Sequence, residues 1–340
     1  MTSIERVAAA VSFESVDRAP VIAQVGGHAA ICAGYKLNDY LQSGEIAARS
    51  QMAALKLYDY DAVIAIFDAC VETEAAGSEI SFRDDNYPIV KKHVLSKNFD
   101  SSALAVPDPT KAGRMPELLK EIEILRQKVG RDTPVVGTAI GPMTVATQLL
   151  GLETALFMAA DEPERFESVL DYACQIVISF ARAQLKAGAH LVLLFEPSAS
   201  PVVVPPSFYR EIILPKHKTV FDEIKKAGSL ANWLHIAGPV LPILPLYKEA
   251  GVTIANFDYQ IEPQDAQKAL PNTCLDGNIK PMSFILSNPQ AIYENSRDVI
   301  TKFEQRGGFI LSSGCEIPPE SKKENILAMV AATKGIKCPS

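Results

Sequence analysis

Eight short apolar runs recur along the 340-residue chain, and each is followed by a stretch of helical periodicity. The runs are Pro20–Gly26, Asp61–Phe67, Pro134–Ile140, His190–Glu196, Leu230–Ile236, Val252–Asp258, Thr273–Asn278 and Gly308–Gly314. They are mostly continuous rather than alternating and are bounded by Gly, Pro or Asp, which is how strands covered on both faces read. Between them lie amphipathic segments such as Glu164 to Lys186 and Ser207 to Lys226. Strand and helix alternating eight times predict an α/β fold, a (β/α)8 TIM barrel, with residues 1–340 forming one domain. The length suits a single barrel, and no composition break or internal repeat divides the chain. The stretch from about Glu72 to Lys97 exceeds an ordinary loop and predicts a hairpin or lid inserted after the second strand. A doubly wound open sheet is the competing architecture, but the first run lacks the Gly-rich phosphate turn of that fold.

Other features narrow the function class. No uninterrupted apolar stretch reaches membrane-spanning length, and the N-terminus has no long apolar region of the secretory kind. A formal charge of −7 argues against a nucleic-acid partner. Cys32, Cys70, Cys174, Cys274, Cys315 and Cys338 follow no CxxC or framework spacing. Reduced thiols in a cytoplasmic protein are therefore expected.

In a barrel, chemistry lies at the C-terminal ends of the strands. The polar residues placed there are Gln24 and His28 after the first run, Asp68 after the second, Glu196 closing the fourth, His235 in the fifth and Asp258 closing the sixth. Asn278 and Cys315 follow at the last two, and Glu211 lies in the first turns of the helix after the fourth. Glu196, Glu211, His235 and Cys315 make a candidate set for one divalent metal, since carboxylate, imidazole and thiolate are the usual zinc ligands. Glu196 and His235 are the candidate catalytic residues. Gln24, His28, Asp68, Asp258 and Asn278 are candidate substrate contacts. Each ligand has an alternative: His235 a buried ring bonded to a carbonyl, Cys315 a small buried hydrophobe, Glu211 a solvated charge. Glu196 is harder to dismiss, because a carboxylate ending the run Leu191–Phe195 needs a compensating partner. His217, between Lys216 and Lys218, reads as solvated, and the Gly141-Pro-Met-Thr144 stretch as a tight turn.

Several landmarks, in order, carry a resemblance. Ser3-Ile-Glu-Arg-Val7, Val16-Asp-Arg-Ala-Pro20, Gly141-Pro-Met-Thr144, Glu196-Pro-Ser-Ala-Ser200, Leu234-His-Ile-Ala-Gly238, Asp276-Gly-Asn278 and Gly314-Cys-Glu-Ile-Pro-Pro319 resemble the uroporphyrinogen decarboxylase superfamily in its corrinoid-linked methyltransferase branch. The resemblance runs nearly end to end. It implies a (β/α)8 barrel, a bound Zn2+ and a methyl group moved to or from a corrinoid (cobamide). The chain shows no Asp-x-His-x-x-Gly segment, so the corrinoid is expected on a separate partner protein, with a small-molecule methyl donor.

Departures from the family pattern shape the expected activity. The arginine-bearing segment that grips a tetrapyrrole's carboxylates is here Ile22–His28, without arginine, which disfavours decarboxylation. Methylcobamide:coenzyme M methyltransferases use His-x-Cys and a distant Cys on zinc; His235 and Cys315 match, but the middle position is Ala237. The methyltransferases of anaerobic O-demethylases resemble the chain differently, through two glutamates with fourteen residues between them and a histidine about twenty residues later. Glu196 and Glu211 have that spacing, and His235 follows after twenty-three residues, three more than the pattern, which a loop insertion would absorb. A zinc ion ringed by oxygen and imidazole is a hard Lewis acid suited to polarising an ether oxygen. The leading expectation is therefore transfer from an O-methylated, aromatic substrate, lying against Phe67, Trp233 or Tyr259, to the Co(I) of a corrinoid protein. A coenzyme M methyltransferase, a decarboxylase and a non-catalytic barrel are the alternatives.

Overall fold

A computed structural model describes residues 1–83, 86–95 and 105–339. In chain order its strands are β1 (Val63–Ile64), the pair β2 (Glu79–Arg83) and β3 (Asn86–Lys92), β4 (Val135–Ile140), β5 (Leu191–Phe195), β6 (Asn232–His235), β7 (Ile254–Asn256), β8 (Cys274–Ile279) and β9 (Phe309–Ser313). Seven of them form one parallel sheet in the order β1-β4-β5-β6-β7-β8-β9. The sheet curls until its edges approach. Val21 makes a parallel bridge to Leu311 of β9, and its carbonyl accepts the Asp61 N–H on the other side at 2.7 Å. The first expected strand is thus one bridge rather than a ladder, because the chain turns into the helix Gly26–Ala33 within five residues of it.

The continuous apolar runs are explained by burial on both faces. Alternate residues such as Ile64, Val136, Leu193, Trp233, Ile254 and Ile310 fill the inside of the curl, where Val7 of the helix Ser3–Val11 packs against them. Their neighbours, including Val135, Val192, Leu194 and Leu234, join the larger apolar layer beneath the surrounding helices. Among the described residues, no single helix is long and apolar enough to cross a membrane.

The seam is tied by one carboxylate. Asp61, fully buried, accepts from the Val21 N–H at 2.8 Å, from Arg6 at 2.7 Å, from Arg18 at 2.6 and 2.9 Å, and from the Ser3 hydroxyl at 2.9 Å. Arg6 is in turn held by Asp17 through two bonds of 2.6 and 2.7 Å. The N-terminal landmarks Ser3, Arg6, Asp17 and Arg18 therefore act together to close the sheet.

The expected insertion after the second run contains an antiparallel hairpin of β2 and β3. Its turn at 84–85, and the stretch from 96 onward where the expected segment ended, lie outside the described residues. The guanidinium of Arg114 lies 4.9 Å from the centre of the Phe82 ring and so holds β2 by its face.

Two predictions follow from these buried carboxyls. Asp61→Ala strips Arg18 of its carboxylate partner, takes one of two from Arg6 and leaves the Val21 N–H unmet, and is expected to lower unfolding free energy by about 3–5 kcal/mol in denaturant titration. Glu72 accepts the Ile140 N–H at 2.7 Å, and burial pushes its carboxyl up to about 8. The folded form then holds a proton that the unfolded chain releases near the usual carboxylate range. Stability should fall as pH rises from about 4.5 to 8, and Glu72→Gln should flatten that slope in thermal melts.

Candidate active site at the C-terminal ends of the strands

The end of β5 brings Glu196 to the first turn of the helix Pro142–Leu150. Its carboxylate accepts the N–H groups of Met143 at 3.0 Å and Thr144 at 2.7 Å, the Thr144 hydroxyl, and the Nε2–H of His217 at 3.1 Å. Four donors meet about four lone-pair sites, and a helix N-terminus stabilises negative charge, so the buried carboxylate is satisfied. Gly141 makes this possible: a Cβ there would lie 2.2 Å from a Glu196 oxygen. The Gly-Pro-Met-Thr stretch is a cradle for Glu196 rather than for a ligand.

Two of the four expected ligands are displaced by this arrangement. Glu196 has its carboxylate fully committed and does not line the cavity described below. Glu211 sits in a π-helical turn, Tyr209–Ile213, and points its exposed side chain to solvent. His217, read as solvated, is fully buried, with Tyr209 at 3.2 Å on its other nitrogen. A signal for it was present: His217, Val220, Phe221 and Ile224 form one i, i+3, i+4, i+7 stripe, and all four are buried.

His235 and Cys315 do come together. Both line a cavity of about 260 Å³, with Phe67, Asp68, Tyr87, Pro88, Thr138, Phe195, Ala237 and Glu316 among its walls. His235 is 2% exposed, and neither ring nitrogen has a hydrogen-bond partner among the described residues. Its ring centre lies 4.8 Å from that of Phe195. Burial pulls the imidazole down to about 3, so the ring is neutral and one nitrogen keeps a free lone pair. An orphaned polar group of this kind in a cavity wall is where a ligand is expected. Burial pushes the Cys315 thiol up to about 11.

The remaining candidates divide. Asp68 lines the same cavity, but its carboxylate is held by Arg114 and by the Cys70 N–H at 2.8 Å. Gln24 bonds to Ser312 at 3.3 Å and lines a smaller adjoining void with Glu316. His28 turns away to Tyr58 at 2.7 Å and to the Pro319 carbonyl at 2.8 Å. Asp258 accepts the N–H groups of Gly238 and Tyr259, at 2.8 and 2.7 Å. Asn278 donates to the Ile261 carbonyl at 2.9 Å. His28, Asp258 and Asn278 are not among the residues lining the His235 cavity. Of the three aromatic residues considered for substrate packing, Phe67 lines it, while Trp233 lies deep inside the sheet and donates to Asp276 at 3.3 Å. Tyr259 is exposed at a separate surface depression.

Glu316 and Tyr87 are the residues that sequence reasoning passed over. The Tyr87 hydroxyl from β3 donates to the Glu316 carboxyl, and the Gly27 N–H lies 2.9 Å from Tyr87 and 3.2 Å from Glu316. Burial pushes Glu316 up to about 7. Cβ atoms on Gly26 or Gly27 would fall 2.4 Å from Glu316 and 2.8 Å from the Tyr87 oxygen, so the paired glycines admit both groups. The available signal was adjacency: Glu316 follows Cys315 directly.

Among the described residues, no three of His, Cys, Asp or Glu converge as a metal-binding group. Ala237 supplies no donor, which leaves His235 and Cys315. The set of Glu196, Glu211, His235 and Cys315 does not fit a zinc ion, and the two-glutamate spacing that favoured an ether substrate loses its structural basis.

Residues 2–336 match the family model described as "Uroporphyrinogen decarboxylase (URO-D)", and the chain belongs to that family. It is 29% identical to the methylcobamide:CoM methyltransferase MtaA of Methanosarcina barkeri over 85% of this chain and 84% of that protein. It is 28% identical to the methylcobamide:CoM methyltransferase MtbA of Methanosarcina acetivorans, over 82% and 80% of the two chains. A solved methyltransferase structure from Methanosarcina mazei superimposes with a TM-score of 0.90 at 28% identity, covering 98% of this chain and 99% of that one. The curled sheet is thus the TIM-barrel-like fold of this family.

If Ala237 is the missing donor, Ala237→Cys should raise zinc retained after dialysis by more than about tenfold. In that Ala237→Cys background, Glu196→Gln should leave zinc retention unchanged and lower the thermal midpoint by a few degrees. Loss of zinc on Glu196→Gln would contradict this placement.

Proposed function

We propose that the chain transfers a methyl group from a corrinoid carried by a separate protein to a small thiol held beside His235. One observation carries the reading: a buried, unpartnered imidazole shares an apolar cavity with Cys315 at the C-terminal ends of the strands. Alignment over 85% of the chain with a methylcobamide:CoM methyltransferase supports it, and coenzyme M is the first acceptor to assign. The ether donor expected from the glutamate spacing has no comparable support.

The reaction requires the thiol to lose its proton before sulfur attacks the methyl carbon of the corrinoid substrate. A carbon–sulfur bond forms, the methyl–cobalt bond breaks, and the bonding pair stays on cobalt. His235, held neutral by burial, donates its one ring N–H to the thiolate that forms and so orients the sulfur without itself becoming charged. Glu316, with its carboxyl near 7, takes the proton. Phe67, Phe195 and Pro197 exclude water, so these polar contacts act in a low-dielectric space. The hairpin contributes Tyr87 and Pro88 to the wall and acts as the lid, with the corrinoid partner docking over the opening. Holding sulfur and methyl in line supplies much of the rate. Zinc, when bound, would activate the thiol. The donors present here fall short of a three-ligand site, so activation is assigned to His235 and Glu316.

The test offers the purified chain methylcobalamin with coenzyme M or other small thiols and, separately, cob(I)alamin with aromatic methyl ethers, following the cobalt spectrum. Thiol methylation is expected, with kcat/KM lowered about 100-fold or more by His235→Ala and about 10- to 100-fold by Glu316→Gln. Ether-dependent methylation of cobalt without thiol turnover would overturn the reading.

A further inference from the structure

Away from the cavity, one cysteine stands in a hydrogen-bonded cluster. His28 and Cys32 are one helical turn apart on Gly26–Ala33 and face Tyr58, the last residue of the helix Gly44–Tyr58. The Nδ1 of His28 lies 2.8 Å from the Pro319 carbonyl oxygen. That oxygen only accepts, so Nδ1 carries the hydrogen, and Nε2 of the neutral ring has an open lone pair. Nε2 lies 2.7 Å from the Tyr58 oxygen, and the Cys32 sulfur lies 3.2 Å from both. Tyr58 therefore donates to His28, and the thiol donates to Tyr58, in a relay that ends on a backbone carbonyl. Burial lowers the His28 pKa and keeps the resting ring neutral, while the Nδ1–H bond to the Pro319 carbonyl acts the other way and favours the ring once it takes a proton.

We propose that Cys32 is a base-activated thiol and a site of reversible oxidation by hydroperoxides, its proton passing through Tyr58 to His28. The thiolate sulfur attacks the terminal oxygen of ROOH. The S–O bond forms as the O–O bond breaks, and the departing alkoxide recovers the proton from His28. The balance is Cys–SH + ROOH → Cys–SOH + ROH: sulfur is oxidised, the peroxide is reduced, and His28 returns to neutral. Cys32 is partly exposed, which gives a peroxide access. Cys70, Cys174 and Cys274 are buried, and burial raises their pKa values. Cys338 is partly exposed and, among the described residues, bonds to a neighbouring carbonyl alone, which makes it the internal control. The oxidised sulfur would sit five residues along the same helix from Gly27, whose N–H meets Tyr87 and Glu316 at the cavity.

The test treats the full chain with one equivalent of hydrogen peroxide in the presence of dimedone and maps adducts by peptide mass spectrometry. Labelling of Cys32 is expected to exceed that of Cys338 by about tenfold or more. Tyr58→Phe and His28→Gln should each slow Cys32 labelling several-fold with Cys338 unchanged. Equal labelling of Cys32 and Cys338 in the unmodified chain overturns the proposal without depending on either variant, as does a Cys32 rate indifferent to both substitutions.

Discussion

A carboxylate removed from water must find donors, and that requirement organises both ends of the curled sheet. At the N-terminal end Asp61 collects two arginines, a serine and a backbone N–H, and so fixes the segment at Val21 that bridges the sheet edges. At the C-terminal end Glu196 collects the first turn of a helix and His217, which sets the helix after β4 against the end of β5. Both are network centres because an unpaired buried charge costs several kcal/mol. With the large charged groups satisfied, the orphaned imidazole of His235 stands out.

That contrast separates structure from chemistry among the residues at this end. Glu196 looked catalytic because a carboxylate at the end of an apolar strand demands an explanation, and the explanation is a helix cap. Asp68 is committed to Arg114, and Asp258 to two backbone N–H groups. His235, Cys315 and Glu316 share the cavity, and they differ in what burial does to them. It keeps the imidazole neutral, raises the thiol, and brings the Glu316 carboxyl to about 7, where a proton can be gained or lost near neutrality.

Much of the architecture was legible in the sequence because strands buried on both faces leave continuous apolar runs, and because the hairpin exceeds an ordinary loop. The first run was overread: its residues are apolar enough for a strand, but the helix beginning at Gly26 leaves room for only a bridge. His235 and Cys315 were legible from their positions at the ends of β6 and β9. Glu211 was not, since spacing along a chain does not fix which way a helical residue faces, and a π turn intervenes. His217 was hidden by flanking lysines although its apolar stripe was in view. Tyr87 meets Glu316 across 229 residues, a pairing that local pattern cannot carry.

The substrate reading rests on where the methyl group goes. The most direct measurement uses methylcobalamin bearing a deuterated methyl group, incubated with the chain and coenzyme M, with the thioether product analysed by mass. The account predicts that the intact labelled methyl appears on sulfur at a rate far above the protein-free control and is lost with His235→Ala. Label retained on cobalt at the control rate, with coenzyme M recovered unchanged, would contradict it.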